Sequence, residues 1–184
     1  MVFPLPQPRS PLDEEGCAHW YETSLGWATA DGDPVQLLTG LRFDVLELPA
    51  DAGYAVLRRL PLTGPVALLG QRMRFLVGAG SADELPGLLD WLEWGSVPLD
   101  LTAIGTGGHI AAPVPPSWPG SRGAATWLRP PEPGHEVEPT LPAFRGFGER
   151  GGAPDLVRLV DTAATECHRA RLLRCTENQP LACS

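Results

Sequence analysis

Two-metal phosphoryl transfer needs two or three carboxylates converging on ions about 4 Å apart. A β-strand supplies such a set when acids stand at i and i+2, because alternate side chains share a face. The segment Arg42-Phe-Asp-Val-Leu-Glu-Leu48 comes near this pattern without meeting it. Asp44 has Leu46 at i+2, and Glu47 faces the opposite way unless a bulge re-aims it. Asp44 is the candidate metal ligand of this strand. Asp44, Glu47 and Asp100 are the candidate catalytic carboxylates. The competing reading is an edge or half-buried strand with solvated acids, which alternation favours.

Anion binding has two candidates. Arg72 and Arg74 lie two apart on an expected strand, on one face, beside Gln71. They make a reasonable phosphate contact, and equally a pair of solvent-facing arginines. Gly105-Thr-Gly-Gly108 is glycine-rich, and such loops can turn N–H groups toward a phosphate. Gly107, Gly108 and the adjoining His109 are therefore nucleotide- or nucleic-acid-binding candidates. The loop lacks the Lys-Ser/Thr of a Walker motif, and no helix follows it. A hairpin turn between two strands is the simpler reading. His109 has no evident Ser or Cys partner, and His19, His135 and His168 are no stronger. Cys17, Cys167, Cys175 and Cys183 form no Cys-x-x-Cys pair. Cys167, His168, Cys175 and Cys183 match no standard zinc spacing, so a helix-face cysteine with a loose tail is the plainer account.

The chain has 184 residues, enough for one ordinary domain with its own core. Its apolar fraction of 43% and six Trp exceed what a disordered chain carries. Lys is absent, so any side-chain phosphate contact falls to Arg. A net charge of −8 disfavours nonspecific nucleic-acid binding, which depends on neutralising phosphates. A local basic patch remains compatible with it. No apolar run reaches the ~20 residues of a membrane span. Met1–Ser10 has no apolar core of a signal peptide. The expectation is a cytoplasmic protein with free thiols and no membrane association.

Turn and period signals place these residues on elements. Residues 1–13 read as a flexible Pro-rich arm and Glu14–Leu25 as a helix ended by Gly26. Short strands follow at Trp27–Ala30 and Val35–Leu38, then the clear strand Leu41–Leu48. Asp51 is placed to cap a helix over Ala52–Leu60. Pro65–Leu69 and Met73–Val77 form a hairpin across Gly70-Gln71-Arg72. Ser81-Ala-Asp-Glu84 resembles a capping box before a helix ending near Trp94, with Trp91 and Trp94 as packing anchors. Strands are expected at Leu99–Ile104 and His109–Val114. Residues 115–152 are a Pro/Gly-rich loop region with a possible strand at Ala125–Leu128. A last helix starts at Pro154, with Leu156, Val160, Ala163, Cys167 and Ala170 as its apolar stripe. Residues 14–174 make the domain, and 175–184 a frayed tail. Strands in pairs between helices indicate an α+β (mixed α/β) fold, with an antiparallel or mixed sheet and flanking helices.

The order of these features resembles the prim-pol domain of bifunctional DNA primase/polymerases, in the archaeo-eukaryotic primase superfamily. The segments that carry the likeness are Gly26-Trp27, Thr39-Gly-Leu-Arg-Phe-Asp-Val-Leu-Glu-Leu-Pro49, Gly64-Pro-Val-Ala67 with Gly70-Gln-Arg-Met-Arg-Phe-Leu-Val77, and Gly107-Gly-His-Ile-Ala-Ala-Pro113. Residues 79–94 and 154–160 look like small stand-alone members from high-GC Gram-positive bacteria. The resemblance implies a primase/polymerase-like fold and, in active members, template-dependent nucleotidyl transfer with Mg²⁺ or Mn²⁺ and nucleoside triphosphates. The family's acid-x-acid motif is matched by Asp44 and not by Leu46. Met73 stands where the family has a histidine, and Asp100 and Thr102 stand near the third acid. The reading that follows is a DNA primase/polymerase-like domain with a degenerate metal site, acting as a nucleotide- or single-stranded-DNA-binding or regulatory module. One alternative is an active nucleotidyl transferase, with Asp44, Glu47 and Asp100 on metal and Arg72 and Arg74 on triphosphate or template. The other is a non-enzymatic adaptor for another protein, suggested by the acidic balance, the Pro-rich arm and the Pro115–Pro142 loop.

Overall fold

The computed structural model describes residues 11–144 and 155–177. Within them the chain runs α1 (Pro11–Ser24), β1 (Thr29–Ala30), β2 (Gln36–Leu38), β3 (Phe43–Pro49), α2 (Ala50–Arg59), β4 (Val66–Leu69), β5 (Arg72–Gly78), α3 (Ser81–Trp91), β6 (Thr102–Ile104), β7 (His109–Ala111), β8 (Thr126–Arg129), a 3₁₀ turn at Glu138–Thr140, and α4 (Leu156–Glu177). A five-stranded sheet has the order β6-β3-β5-β4-β8, and a three-stranded sheet the order β1-β2-β7. Every strand pair is antiparallel. The fold is single-domain α+β.

The period-2 pattern of β3 and β5 builds two cores on the two faces of the large sheet. Leu46, Leu48, Met73, Phe75 and Val77 pack against the buried faces of α2, α3 and α4. Phe43, Val45 and Leu76 pack on the other side against Tyr21 of α1, Trp27 of the α1–β1 connection, and Leu37 and Ile110 of the small sheet. There Tyr21 donates its hydroxyl to the Pro113 carbonyl (2.6 Å) and accepts the Trp127 indole N–H (2.9 Å). α4 buries Leu156, Val160, Ala163, Cys167 and Ala170, as its stripe predicts, together with Leu159 and Ala164. Its Glu166 is buried between Arg59 (2.8 Å) and Arg169 (3.3 Å).

The two sheets share one bent ribbon. β2 runs on into β3 and β6 into β7. Leu38 pairs with His109 in the small sheet, and Val45 with Ile104 in the large one. The bend lies at residues 39–42 and 105–108. This corrects the hairpin reading of the glycine loop, since β6 and β7 belong to different sheets. Gly105 and Gly108 do close a turn, with Gly108 N–H donating to the Gly105 carbonyl (3.0 Å), but that turn is a corner between layers.

Other boundaries also move. α1 starts at Pro11, so residues 11–13 are helical and not part of an arm, while Met1–Ser10 lie outside the described residues. α2 starts at Ala50; Asp51 sits in its first turn, its Oδ1 accepting the Ala52 N–H at 2.7 Å. β4 and β5 form the expected hairpin, with Leu69 opposite Arg72. Trp94 packs on His168 and donates to Asp161 (3.1 Å), whereas Trp91 is 72% exposed and anchors nothing. The loop region contains β8, and residues 145–154, including the expected start of α4 at Pro154, lie outside the described residues. The last helix continues through Cys175 to Glu177, past the expected start of the tail, and residues 178–184 are likewise outside.

Candidate functional site

Asp44 lies on the helical face of β3 and is 1% exposed. Its Oδ2 accepts the backbone N–H of Ala82 at 2.9 Å, in the first turn of α3. Helix N-termini carry N–H groups without intrahelical partners, and a negative charge there is favourable. The residue preceding α3 is Gly80, with φ of 90° and no side chain to cap it. The cap comes instead from across the fold, and no capping box operates through Ser81. The other carboxylate oxygen, Oδ1, is buried with no partner among the described residues. At i+2 stands buried Leu46, and opposite Asp44 on β5 stands Val77.

Glu47 and Asp100 do not join Asp44. Glu47 faces the other side of the sheet, where it lies opposite Arg74. Its Oε2 accepts Arg74 Nε at 2.7 Å and its Oε1 accepts Arg72 Nε at 3.1 Å. Arg72 Nη1 donates to Asp100 Oδ1 at 2.7 Å. Burial works against the Arg72 charge, but the hydrogen bonds it donates to Asp100 and Glu47, with their negative charges, outweigh it and raise its pKa. Two arginines and two acids thus form one neutral cluster. Arg74 Nη1 is buried with no acceptor among the described residues. A phosphate reaching Arg72 or Arg74 has to compete with carboxylates already in place.

Mg²⁺ and Mn²⁺ favour octahedral sets of oxygen ligands. The residues present do not fit such an ion. Asp44 has one oxygen engaged, Glu47 is held by Arg72 and Arg74 on the opposite face of the sheet, and Asp100 is held by Arg72. Among the described residues no group of three His, Cys, Asp or Glu is placed to hold a metal. Met73 is fully buried against Gly53 of α2, where any Cβ would overlap its side chain.

The glycine loop is spent on packing. Thr39 N–H donates to the Gly108 carbonyl (3.0 Å), and Thr39 Oγ1 donates to the Gly105 carbonyl (2.6 Å). A Cβ on Gly40 would overlap the Thr106 backbone, and one on Gly105 would lie 2.6 Å from the Ala82 Cβ. Gly107 faces open space with φ of 77°. His109 is exposed at the end of β7, in the small sheet, apart from the Glu47 cluster on the large one.

Sequence reasoning passed over two features. One is Thr39, a buried hydroxyl tying the two arms of the corner together; a threonine before a glycine carries no such signal. The other is a cleft of about 580 Å³ between residues 61–65 and 129–140, which Arg129 lines. The dipeptide Pro130-Pro131 after β8 marks its wall, but nothing local shows that residues 61–65 face it. Comparison of the chain with protein-family models, curated proteins and solved structures finds no match in any of the three.

Proposed function

We propose that this chain is a primase/polymerase-like (prim-pol) domain that serves as a nucleotide- or single-stranded-DNA-binding or regulatory module in the cytoplasm, without metal-dependent nucleotidyl transfer. The observation that carries the non-catalytic part is the separation of its acids. Asp44 caps α3 on one face of the large sheet, and Glu47 clamps Arg72 and Arg74 on the other. Both are committed to the fold. The ligand class comes from the family resemblance, with Arg72 and Arg74 as its nearest cationic candidates. Among the described residues, no helix is long and apolar enough to cross a membrane.

The test is primer extension by the full chain with Mg²⁺ or Mn²⁺, beside titrations with labelled single-stranded DNA and ATP at low salt. No template-dependent extension and saturable binding of one ligand are expected. Extension that disappears in a folded Asp44→Asn variant would overturn the non-catalytic reading. Absence of binding to both ligands would favour an adaptor for another protein. That second reading is supported by the exposure of Trp91 (72%), Leu172 (53%) and Leu173 (67%). An acidic chain exposing such side chains suits protein surfaces better than nucleic acid.

A further inference from the structure

The cleft between residues 61–65 and 129–140 has the volume of a small-molecule site, about 580 Å³ against a usual 300–1,000 Å³. Its walls include Pro61, Pro65, Pro130, Pro131 and Pro139. Each proline fixes its own φ, so little chain entropy remains to be lost when a ligand enters. Thr63 and Val137 are buried, while Leu62 is 67% exposed and offers apolar surface.

Arg129 is the polar feature that gives the cleft a preference. It is the last residue of β8, and its Nη1 donates to the Pro61 carbonyl (2.9 Å) and to Thr63 Oγ1 (2.8 Å). These bonds hold the guanidinium through one nitrogen. Its Nε and Nη2 have no acceptor among the described residues. By contrast Arg42, Arg59, Arg72, Arg74, Arg169 and Arg174 each meet a carboxylate. A guanidinium fixed without a counter-charge keeps an open fork of donors matched to an oxyanion. His135, whose ring carries an N–H donor, lines the same cleft. Glu132 and Glu136 also line it, and neither has an ion-pair partner among the described residues. Their charges oppose a ligand with several negative groups.

We propose that this cleft binds a small organic acid carrying one negative charge, its carboxylate on Arg129 and its apolar body against the prolines and Leu62. The site is independent of the prim-pol reading and disfavours a triphosphate.

Benzoate, phenylphosphate, benzylamine and ATP serve as probes, titrated into the ¹⁵N-labelled full chain and followed by amide shifts. Benzoate is expected to give saturable shifts at residues 62–64 and 129–140, with little from benzylamine or ATP. Arg129→Gln should weaken benzoate by at least about tenfold, the loss of one charge-assisted pair. Since Arg129 also ties β8 to residues 61–63, a second variant leaves it intact. Glu132→Gln with Glu136→Gln should tighten benzoate and admit the dianionic phenylphosphate, which a purely structural Arg129 does not predict. Absence of saturable benzoate shifts in the cleft, or a preference for benzylamine, overturns the proposal. ATP shifts elsewhere that survive Arg129→Gln would bear on the nucleotide reading alone.

Discussion

Asp44 joins β3 to α3 through one hydrogen bond that neither element can make alone. Removing it leaves the half-buried Ala82 N–H without an acceptor. Asp44→Ala should therefore cost about 2 kcal/mol. Asp44→Asn keeps an acceptor oxygen and loses only the charge beside the helix end, so about half that cost is expected. Urea unfolding of both variants checks the ranking; equal losses would mean that the charge and not the hydrogen bond matters. Glu47 makes a sharper case, because it serves two arginines at once. Glu47→Ala strands the largely buried Arg74 and leaves Arg72 with Asp100 alone, and should cost about 3 kcal/mol. Glu47→Ala combined with Arg74→Met should recover part of it, which a double-mutant cycle in urea would measure. The facing of these acids was legible in the sequence, since period-2 alternation alone separates Asp44 from Glu47. Their partners were not. Ala82 lies 38 residues from Asp44, and no local pattern encodes a cap delivered by tertiary packing.

At the scale of elements, the bent ribbon explains where the sequence was read well and where it misled. Strands β3, β4 and β5 and helix α4 announce themselves by period and composition, because each buries a regular face. The corner does not. Glycines ending one strand and opening the next serve a hairpin and a layer crossing equally, and only the distant pairings of β6 with β3 and β7 with β2 tell them apart. The corner still predicts a contrast between two substitutions. Gly40 has φ of 85°, and a Cβ there would overlap the Thr106 backbone. Gly40→Ala combines left-handed strain with a clash against main chain, so a loss of about 3 kcal/mol is expected. Gly107 has a similar φ with nothing near it, so Gly107→Ala should cost only about 1 kcal/mol. Thermal melts of the two variants decide the point. A comparable small loss in both would mean that the arms of the corner are not packed as closely as described.

Across the whole molecule, the two cores share a sensitivity to alkali. Tyr21 and Cys17 lie on α1 against the small-sheet layer, and Cys167 lies on α4 against the helical layer. Burial raises the pKa of Cys17, and it raises that of Tyr21 despite the opposing hydrogen bond from Trp127. Cys167 is pushed up to about 12, first by burial and then by the nearby Asp100 charge. Each is an acid that holds its proton more tightly when folded. Below the ordinary thiol value, about 8.5, folded and unfolded chains are both protonated at Cys167 and its contribution is intact. As pH rises toward 12 only the unfolded chain ionises there, and stability falls by up to about 1.4 kcal/mol per pH unit from this thiol. Urea midpoints should accordingly drop between pH 8.5 and 10.5. Cys167→Ala should flatten that drop in its lower part, before Tyr21 begins to contribute. The same burial predicts chemical selectivity: iodoacetamide at pH 8 should label exposed Cys175 readily and reach Cys167 only on unfolding. Rapid labelling of Cys167 in the native chain, or a midpoint that does not move with alkali, would mean that α4 does not seal the helical core over that thiol.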